Sequence, residues 1–586
     1  MAVDRNDRPT AGAKRRTANG ERLSDRWVEK TLKSMTVDEK IGQMLMPGNP
    51  LGAFRNVDSD EFAKIRADVV DYHAGGYHVF GGDPAAVALI INEMQKLAKV
   101  PLLVADNFEG GVGYVLFGAT RLPLGMAMGA TGDERLAYEA AKLTAEEGRA
   151  LGVNVNFYPV ADVQNNPQNP IINIRAFGED PASVSRFVRA YIRGAQDNGQ
   201  LATAKHFPGH GDVTADSHLQ MPVLDVTRQR LDAVELPPFR AAVDEKVGAF
   251  MSAHIWLPQL EPKKDLPATL SKNVMTDLLR GELHYAGIVF TDAMSMRGVT
   301  NSFPHGEASV MAVEAGADML VLPPDVPAAF NAIKAAVDSG RITVARLDES
   351  VRRILRAKAS LNLQDPRNRF SDVNKAMTTV GSKPHRELAQ KISDAAVTLV
   401  RDENKVLPLR ASPELRLVQI NLLDTRSGWR EGAPGRVMTA EVPKRFPRAV
   451  TVQVDDQSTA SELDMVRKLA QLADAVMVNG YIRVAAYKGS IDLTSAQTAL
   501  LRDLIAMNKP LVYTSFGSPY VLTHLTGLPS YIVAYDTSQT AEMAAVRAIT
   551  GEIEFRGKLP ISLPGLYPIG HGLHAQVGPA APPGSP

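Results

Sequence analysis

Leu201-Ala202-Thr203-Ala204-Lys205-His206-Phe207-Pro208-Gly209-His210-Gly211-Asp212-Val213-Thr214-Ala215-Asp216-Ser217-His218 is an apolar run that turns abruptly into a polar loop. Residues 201–207 have the length and composition of a buried strand, whereas Pro208, Gly209 and Gly211 forbid a regular helix beyond it. Residues 205–218 then gather three histidines, two aspartates and a lysine, more ionisable chemistry than packing requires. Loops are where such residues are held for chemistry. A strand whose end delivers a reactive loop is the unit from which the fold can be assembled.

That unit recurs. Eight apolar runs, Ile41–Met46, Gly76–Phe80, Leu102–Asp106, Val153–Val163, Leu201–Phe207, Ala249–Trp256, Gly287–Asp292 and Asp318–Leu322, alternate with amphipathic stretches such as Asp133–Leu151, Pro181–Asn198 and Thr227–Glu245. Strands alternating with helices predict a parallel sheet, and eight such units over residues 26–360 predict a TIM-type (β/α)8 barrel. Active sites of such barrels lie at the C-terminal ends of the strands. Asp106, Asp162, Lys205 with His206, His254 and Asp292 each end or follow a run, so five strands deliver ionisable groups to one rim.

A helical run over Gly340–Leu363 closes the barrel, and residues 361–385 read as a linker. In residues 386–573 the runs Ala396–Val400, Leu415–Asn421, Val450–Val454, Ala475–Asn479, Leu511–Ser515 and Tyr531–Tyr535 alternate with helical patterns, notably Ser495–Met507 and Thr540–Gly551. This predicts a three-layer α/β sandwich. Residues 1–25, polar and basic, read as a flexible arm, and residues 574–586, rich in Pro, Gly and Ala, as a disordered tail. Such an arm is what removal of a signal segment leaves behind, in which case the protein is bacterial and exported, periplasmic or extracellular; otherwise it is cytoplasmic.

Composition narrows the function. The 586 residues include no cysteine, which excludes disulfides, thiolate metal sites and a cysteine nucleophile. Lys+Arg and Asp+Glu both number 65, so no global field draws nucleic acid or an anionic membrane, and a neutral or mixed-charge substrate is favoured. No run approaches the roughly 20 apolar residues of a membrane span.

Asp292 follows the apolar Gly287–Phe290 at the mouth of the seventh strand, a position for a nucleophilic carboxylate, although an aspartate there also suits a helix N-cap. Asp216 and His218 are separated by one residue, which lets the carboxylate orient the imidazole and stabilise its protonated form, or form a simple Asx turn beside a solvated histidine. A metal centre built from His206, His210, His218, Asp212 and Asp216 is disfavoured: Pro208-Gly209 breaks the helix that a two-histidine zinc motif needs, and Lys205 would repel a cation. No metal or other cofactor is expected. Gly110 and Gly111, after Asp106-Asn107-Phe108-Glu109, permit close backbone approach to a ligand. Arg175 follows a loop rich in Asn and Pro, placed either to fork onto vicinal hydroxyls or to pair with Glu179 or Asp180.

Together, Met35-Thr36 with Glu39–Met44, the Glu109-Gly110-Gly111 turn, Asn156–Asp162, Arg175–Pro181, Lys205–His218, Met251–His254, Thr291–Met296 and Ala315–Asp318 resemble glycoside hydrolase family 3. The Lys-His-Phe-Pro-Gly-His-Gly segment ending in Asp-Ser-His resembles the mark of its β-N-acetylglucosaminidases. The resemblance implies that Asp292 is the nucleophile, His218 the acid/base and Asp216 its partner, while Asp106, Arg175, Lys205 and His206 hold the terminal sugar. It implies a retaining exo-enzyme that removes terminal β-linked GlcNAc from peptidoglycan fragments or chitooligosaccharides. Phosphorolysis by inorganic phosphate and a non-catalytic sugar-binding role are the alternatives. It also implies that the second domain leaves the active site alone. The chain departs from the family's Asp-Gln-Glu-Gly-Gly followed by Arg-Val: it has Asn107-Phe108 before Glu109 and Val112 to Val115 after the glycines. The basic contact is therefore missing from that place, and Arg121 is its candidate replacement. His210 and Asp212 have no role in this scheme, and the oligomeric state is not readable.

Overall fold

A computed structural model describes residues 24–50, 57–410, 412–424 and 434–575. The stretches read as arm and tail lie outside the described residues except for 24–25 and 574–575. Residues 24 and 25 belong to a helix over 24–34, held to the barrel by Val28 and Leu32 in its main apolar cluster, so the arm ends earlier than its polarity suggested.

Among the described residues, nine strand segments build the first domain: β1 (Leu45–Met46), β2 (Gly48–Pro50), β3 (Gly76–Phe80), β4 (Leu103–Asp106), β5 (Val155–Asn156), β6 (Leu201–Phe207), β7 (Ala249–Ser252), β8 (Ile288–Phe290) and β9 (Leu320–Val321). β1 and β2 are one strand position split at Pro47, which has no N–H to give. β2 to β8 pair in parallel in chain order, β1 pairs with β9, and a bridge from Phe290 to Met319 joins β8 to β9, so the ring closes as a (β/α)8 barrel.

Several strand readings were too long, Ile41–Met46 and Val153–Val163 among them. Ile41–Gln43 ends the helix Val37–Gln43, whose start is fixed by a Thr36–Glu39 capping box, leaving only Leu45 and Met46 to the sheet. Val153–Val163 pairs regularly only at β5; Pro159 interrupts it, and the chain rejoins the ladder where Val160 faces Lys205. The helical stretch Thr227–Glu245 carries a π turn at Leu231–Glu235, just before Pro237 and Pro238 withdraw two N–H groups. The stretch read as a linker is structured. Its helices Pro366–Arg369 and Val373–Thr379 are N-capped by Asp365 and Asp372, and Asn92 clasps Ser371 through two hydrogen bonds of 2.9 and 2.8 Å.

The second domain contains β10 (Thr398–Asp402), β11 (Leu417–Leu422), β12 (Val450–Val454), β13 (Ala475–Ile482), β14 (Leu511–Gly517) and β15 (Ser530–Val533). They form one sheet in the order β10-β15-β14-β13-β11-β12, parallel except for the edge strand β10. Val476 and Val478 enter one apolar cluster with Ile420 and Tyr513, while Ala475 and Met477 enter another with Leu417 and Val512. Alternate side chains are thus buried on opposite faces, which requires helices on both and makes three layers. The first of those clusters also contains Leu124, Met126, Ala127 and Ala130 of the barrel, so the two domains share a core. Glu179 reinforces the junction by accepting from the Ser562 amide at 2.7 Å and hydroxyl at 3.0 Å.

Asp318, entering β9 from the N-terminal face, shows what holds that end of the barrel. Its buried carboxylate accepts from Arg280 at 2.5 Å, Arg353 at 3.0 Å, Ser350 at 2.5 Å and the Val289 amide at 2.9 Å. Removing one partner from such a buried cluster strands the remaining charges. Asp318→Ala should therefore destabilise the protein by about 3–5 kcal/mol in denaturant unfolding; a loss under about 1 kcal/mol, the range of an exposed pair, would overturn this account.

Candidate active site

The C-terminal ends of both sheets border one cavity of about 610 Å³. Its floor belongs to the barrel, with Asp106 at the end of β4, Lys205 and His206 at the end of β6, and Asp292 just beyond β8. Its other wall belongs to the sandwich. In that sheet β12 lies on one side of β11 and β13 on the other, so the chain reverses direction at β11, and the loop after β13, Arg483–Tyr487, opens onto the cavity. The crevice at such a switch point is where open α/β sheets bind ligands. Here it faces the barrel rim.

Of the residues expected at the site, Asp106, Arg175, Lys205, His206, His218 and Asp292 all line the cavity, while Asp216 stands directly behind His218. The floor is organised around Glu109. Its carboxylate takes a two-pronged contact from Arg175, Nε and Nη2 each at 2.8 Å, and the Lys205 ammonium at 2.7 Å. Burial works to raise the Glu109 carboxyl, but these two cations hold it far below the usual range. Arg175 thus has a carboxylate partner, though neither Glu179 nor Asp180, which bind Ser562 and cap the helix Pro181–Asp197.

The departure at residues 107–108 has a physical explanation. Asn107 accepts from Lys205 at 2.9 Å and its amide reaches His78 Nε2 at 3.2 Å, while the extra Phe108 turns away into an apolar cluster with Val104 and Leu151. Burial and the Lys205 charge push His78 down to about 3, which keeps it neutral and able to accept that hydrogen bond. Arg121 does reach the cavity, but its guanidinium lies 2.9 Å from Asp536 of the second domain, with its carbon 4.8 Å from the Tyr114 ring centre.

Asp292 caps no helix: its Oδ1 accepts from the Ala293 amide at 2.7 Å, and the next helix, Arg297–Thr300, starts later with no side-chain cap. Burial would raise its carboxyl, but the positive potential of His206, His254 and His218, with the Ala293 amide, holds it down at about 2. It is an anion. His254 and Asp162, the other two rim residues read from sequence, stand behind the cavity wall. His254 Nε2 lies 3.0 Å from the Ala293 carbonyl and fixes the backbone beside Asp292. Asp162 Oδ2 lies 2.8 Å from His206 Nδ1, and its Oδ1 accepts from the His206 and His210 amides at 3.2 and 2.7 Å.

The Lys205–His218 loop is drawn tight against the barrel. At Gly211 a Cβ would collide with the Val163 carbonyl, so only glycine fits. His210, without a role in the sequence scheme, braces the loop by placing Nε2 3.1 Å from the Ser217 hydroxyl; burial and the His206 charge push it down to about 4. Asp212 faces Arg230 at 3.3 Å. At the far end Asp216 Oδ1 accepts from both the His218 amide at 2.9 Å and His218 Nδ1 at 2.7 Å. The Asx turn and the dyad therefore coexist, and the His218 side chain is 23% exposed rather than freely solvated. With Nδ1 bound to a carboxylate, Nε2 is the nitrogen left to exchange a proton.

Asp216 Oδ2 accepts from the backbone amide of Tyr487 at 2.8 Å, and the Tyr487 ring stands edge-on to His218 with centres 5.0 Å apart. Burial acts to raise Asp216, but these hydrogen bonds keep it below the usual carboxylate range. The expectation that the second domain leaves the site alone is thus corrected: Tyr487 touches the dyad, and Arg436, Arg483 and Gln539 also line the cavity. No motif around residues 483–487 signalled this, because the contact comes from domain docking.

Residues 36–357 match the model of the glycosyl hydrolase family 3 N-terminal domain, and residues 397–569 that of its C-terminal domain. The chain belongs to glycosyl hydrolase family 3. Like other family 3 members it is a glycoside hydrolase with a barrel followed by an α/β sandwich. A β-N-acetylglucosaminidase/β-glucosidase of Cellulomonas fimi is 29% identical over 554 residues, covering 91% of this chain and 95% of that one. Among solved structures, a family 3 β-N-acetylglucosaminidase from Paenibacillus sp. str. FPU-7 is 34% identical with a TM-score of 0.78, covering 90% of this chain and 99% of its own. The β-glucoside phosphorylase BglX bound to 2FGlc is 28% identical with a TM-score of 0.82, covering 92% and 96%.

Asp292, Asp216, Asp162 and Glu109 all lie below ordinary carboxyl values, so acidification to about pH 5 leaves each ionised. Each contributes stability that is present above the unfolded value near 4 and lost only as pH falls through the lower folded value. For aryl glycoside cleavage, kcat/KM should show no carboxylate limb between about pH 5 and 6 while circular dichroism reports folded enzyme. An acid limb near pH 5 in folded enzyme would contradict these charge states.

Proposed function

We propose that the chain is a retaining exo-β-N-acetylglucosaminidase that removes terminal β-linked GlcNAc from peptidoglycan fragments or chitooligosaccharides. The observation that carries this reading is a buried anionic carboxylate, Asp292, sharing one cavity with a histidine whose other ring nitrogen is bound to a carboxylate. The β-N-acetylglucosaminidases among its relatives support it.

In this reading Asp106, Arg175, Lys205 and His206 hold the hydroxyls of the terminal sugar at the closed floor, which suits attack on chain ends. Asp292 attacks the anomeric carbon through an oxocarbenium-like state while His218 Nε2 protonates the departing oxygen. His218, now neutral and held by Asp216, then takes a proton from water as the water displaces Asp292 and releases the sugar. The histidine takes the place of the usual second carboxylate.

A second reading replaces water with inorganic phosphate. It is favoured by the likeness to a phosphorylase and by the arginines Arg436 and Arg483 along the upper wall. A neutral histidine repels an incoming anion less than a carboxylate would. Incubation with p-nitrophenyl β-N-acetylglucosaminide, with and without phosphate, separates the readings. Free GlcNAc in both cases is the expected result; GlcNAc-1-phosphate on adding phosphate would establish the second reading, and no p-nitrophenol release would leave only a sugar-binding role.

The dyad has its own test. Protonation matters most when the leaving group is poor, so Asp216→Ala should depress kcat/KM on chitobiose by about 100-fold and at least tenfold less on p-nitrophenyl glycoside. Equal losses on both would argue against a role in proton transfer.

A further inference from the structure

We propose that Asn169 is a positioning residue that holds the loop bearing His218 in register with the loop bearing Arg175; this rests on His218 being the acid/base. Asn169 is fully buried, lies outside the cavity lining, and uses every hydrogen bond its side-chain amide can make. Its Oδ1 accepts from the backbone amides of Ile171 at 3.0 Å and Ile172 at 2.8 Å. Its Nδ2 donates to the carbonyls of His210 at 2.8 Å and Gly211 at 3.0 Å, 41 and 42 residues further along the chain. The first pair is a local Asx turn, which an aspartate would form equally well. The second pair joins two loops, and it needs the amide nitrogen.

Each end of this tie leads to a group that the proposed reaction uses. On the Oδ1 side, Arg175 Nη1 donates to the Ile171 carbonyl at 3.0 Å and the Arg175 amide to the Ile172 carbonyl at 2.8 Å, so the turn that Asn169 fixes also fixes the guanidinium. On the Nδ2 side, His210 places Nε2 3.1 Å from the hydroxyl of Ser217, the residue before His218. The barrel sets where β5 and β6 end, but not how the long loops after them lie against each other. A buried amide with all four of its bonds made sets that. The ionisable groups on the joined segments have partners of their own: Asp162 holds His206 and His210, Asp212 faces Arg230, and Arg175 pairs with Glu109. The tie itself carries no charge.

Asn169→Asp separates the two ends, because it keeps Oδ1 toward Ile171 and Ile172 and turns a second oxygen toward the His210 and Gly211 carbonyls. Protonated, that oxygen donates to one of them; ionised, it repels both. Burial beside carbonyls raises the introduced carboxyl above its usual value of about 4, so the damage should grow as pH rises. Kinetics on chitobiose, taken as the ratio of variant to wild type at each pH, cancel the groups that both share. From about pH 5 to pH 8 the kcat ratio should fall at least tenfold while KM changes less than about twofold, and the fall should be smaller on p-nitrophenyl β-N-acetylglucosaminide, whose leaving group needs protonation least. Asn169→Ala, which releases both ends, should also raise KM. A kcat ratio that is flat with pH, an unchanged KM in Asn169→Ala, or activity lost only where circular dichroism reports unfolding overturns the assignment while leaving the glycosidase reading intact. A wild type with no turnover on either substrate overturns both.

Discussion

A charge taken out of water must be paired, and in this protein the pairing of Glu109 sets the floor of the cleft. Arg175 arrives from the loop after β5 and Lys205 from the end of β6, and neither could be held buried in the cavity floor without an anion between them. Glu109 supplies that anion from a third loop, and Asn107, two residues before it, takes a further Lys205 hydrogen bond. The same requirement explains Asp162 beneath His206 and His210, and Asp216 beneath His218. Each of these cations and imidazoles stands on a carboxylate: Glu109 in the cavity floor, Asp162 and Asp216 behind the cavity wall. Asp292, which lines the cavity, is likewise held ionised by histidines, His206, His254 and His218, with the Ala293 amide.

The second domain obeys the same logic. The usual anion position of its switch-point crevice, the N-terminus of the helix Arg436–Arg445, is filled internally: the Glu542 carboxylate accepts from the Gly435 and Met438 amides at 2.8 and 2.9 Å. What remains open is the loop after β13, and docking over a shared apolar core presses it onto Asp216. The proposed acid/base is thus assembled from two domains. Its histidine and carboxylate come from the barrel, and the last hydrogen bond that fixes the carboxylate comes from the sandwich.

Much of this was legible in the sequence because it is local. Apolar runs of five to seven residues between amphipathic helices, as at Leu201–Phe207 and Val450–Val454, gave the strands directly. Errors came where a proline or a cap overrode periodicity, at Pro47, Pro159 and the Thr36 capping box. The reactive loop was visible because glycines, histidines and aspartates crowd within it. Partnerships were not visible, since they join distant positions: Arg175 to Glu109, Arg121 to Asp536, Asp216 to Tyr487. Phe108 is instructive, because an inserted residue that looked like damage to a sugar-binding loop is an apolar plug that leaves Asn107 and Glu109 on their cations.

The proposed reaction itself changes one charge in the cleft. In the proposed cycle Asp292 starts as an anion and becomes a neutral ester, while Glu109, Asp162 and Asp216 keep their charges and their partners. The histidines around Asp292 lose a stabilising anion at that moment, and His218, having given its proton to the leaving group, stays neutral and fit to act as a base. Asp216 keeps its charge throughout, with its oxygens occupied by His218 and Tyr487. On this reading the barrel serves water and phosphate equally well. The choice between them then falls to the upper wall, where Arg436 and Arg483 of the second domain line the cavity.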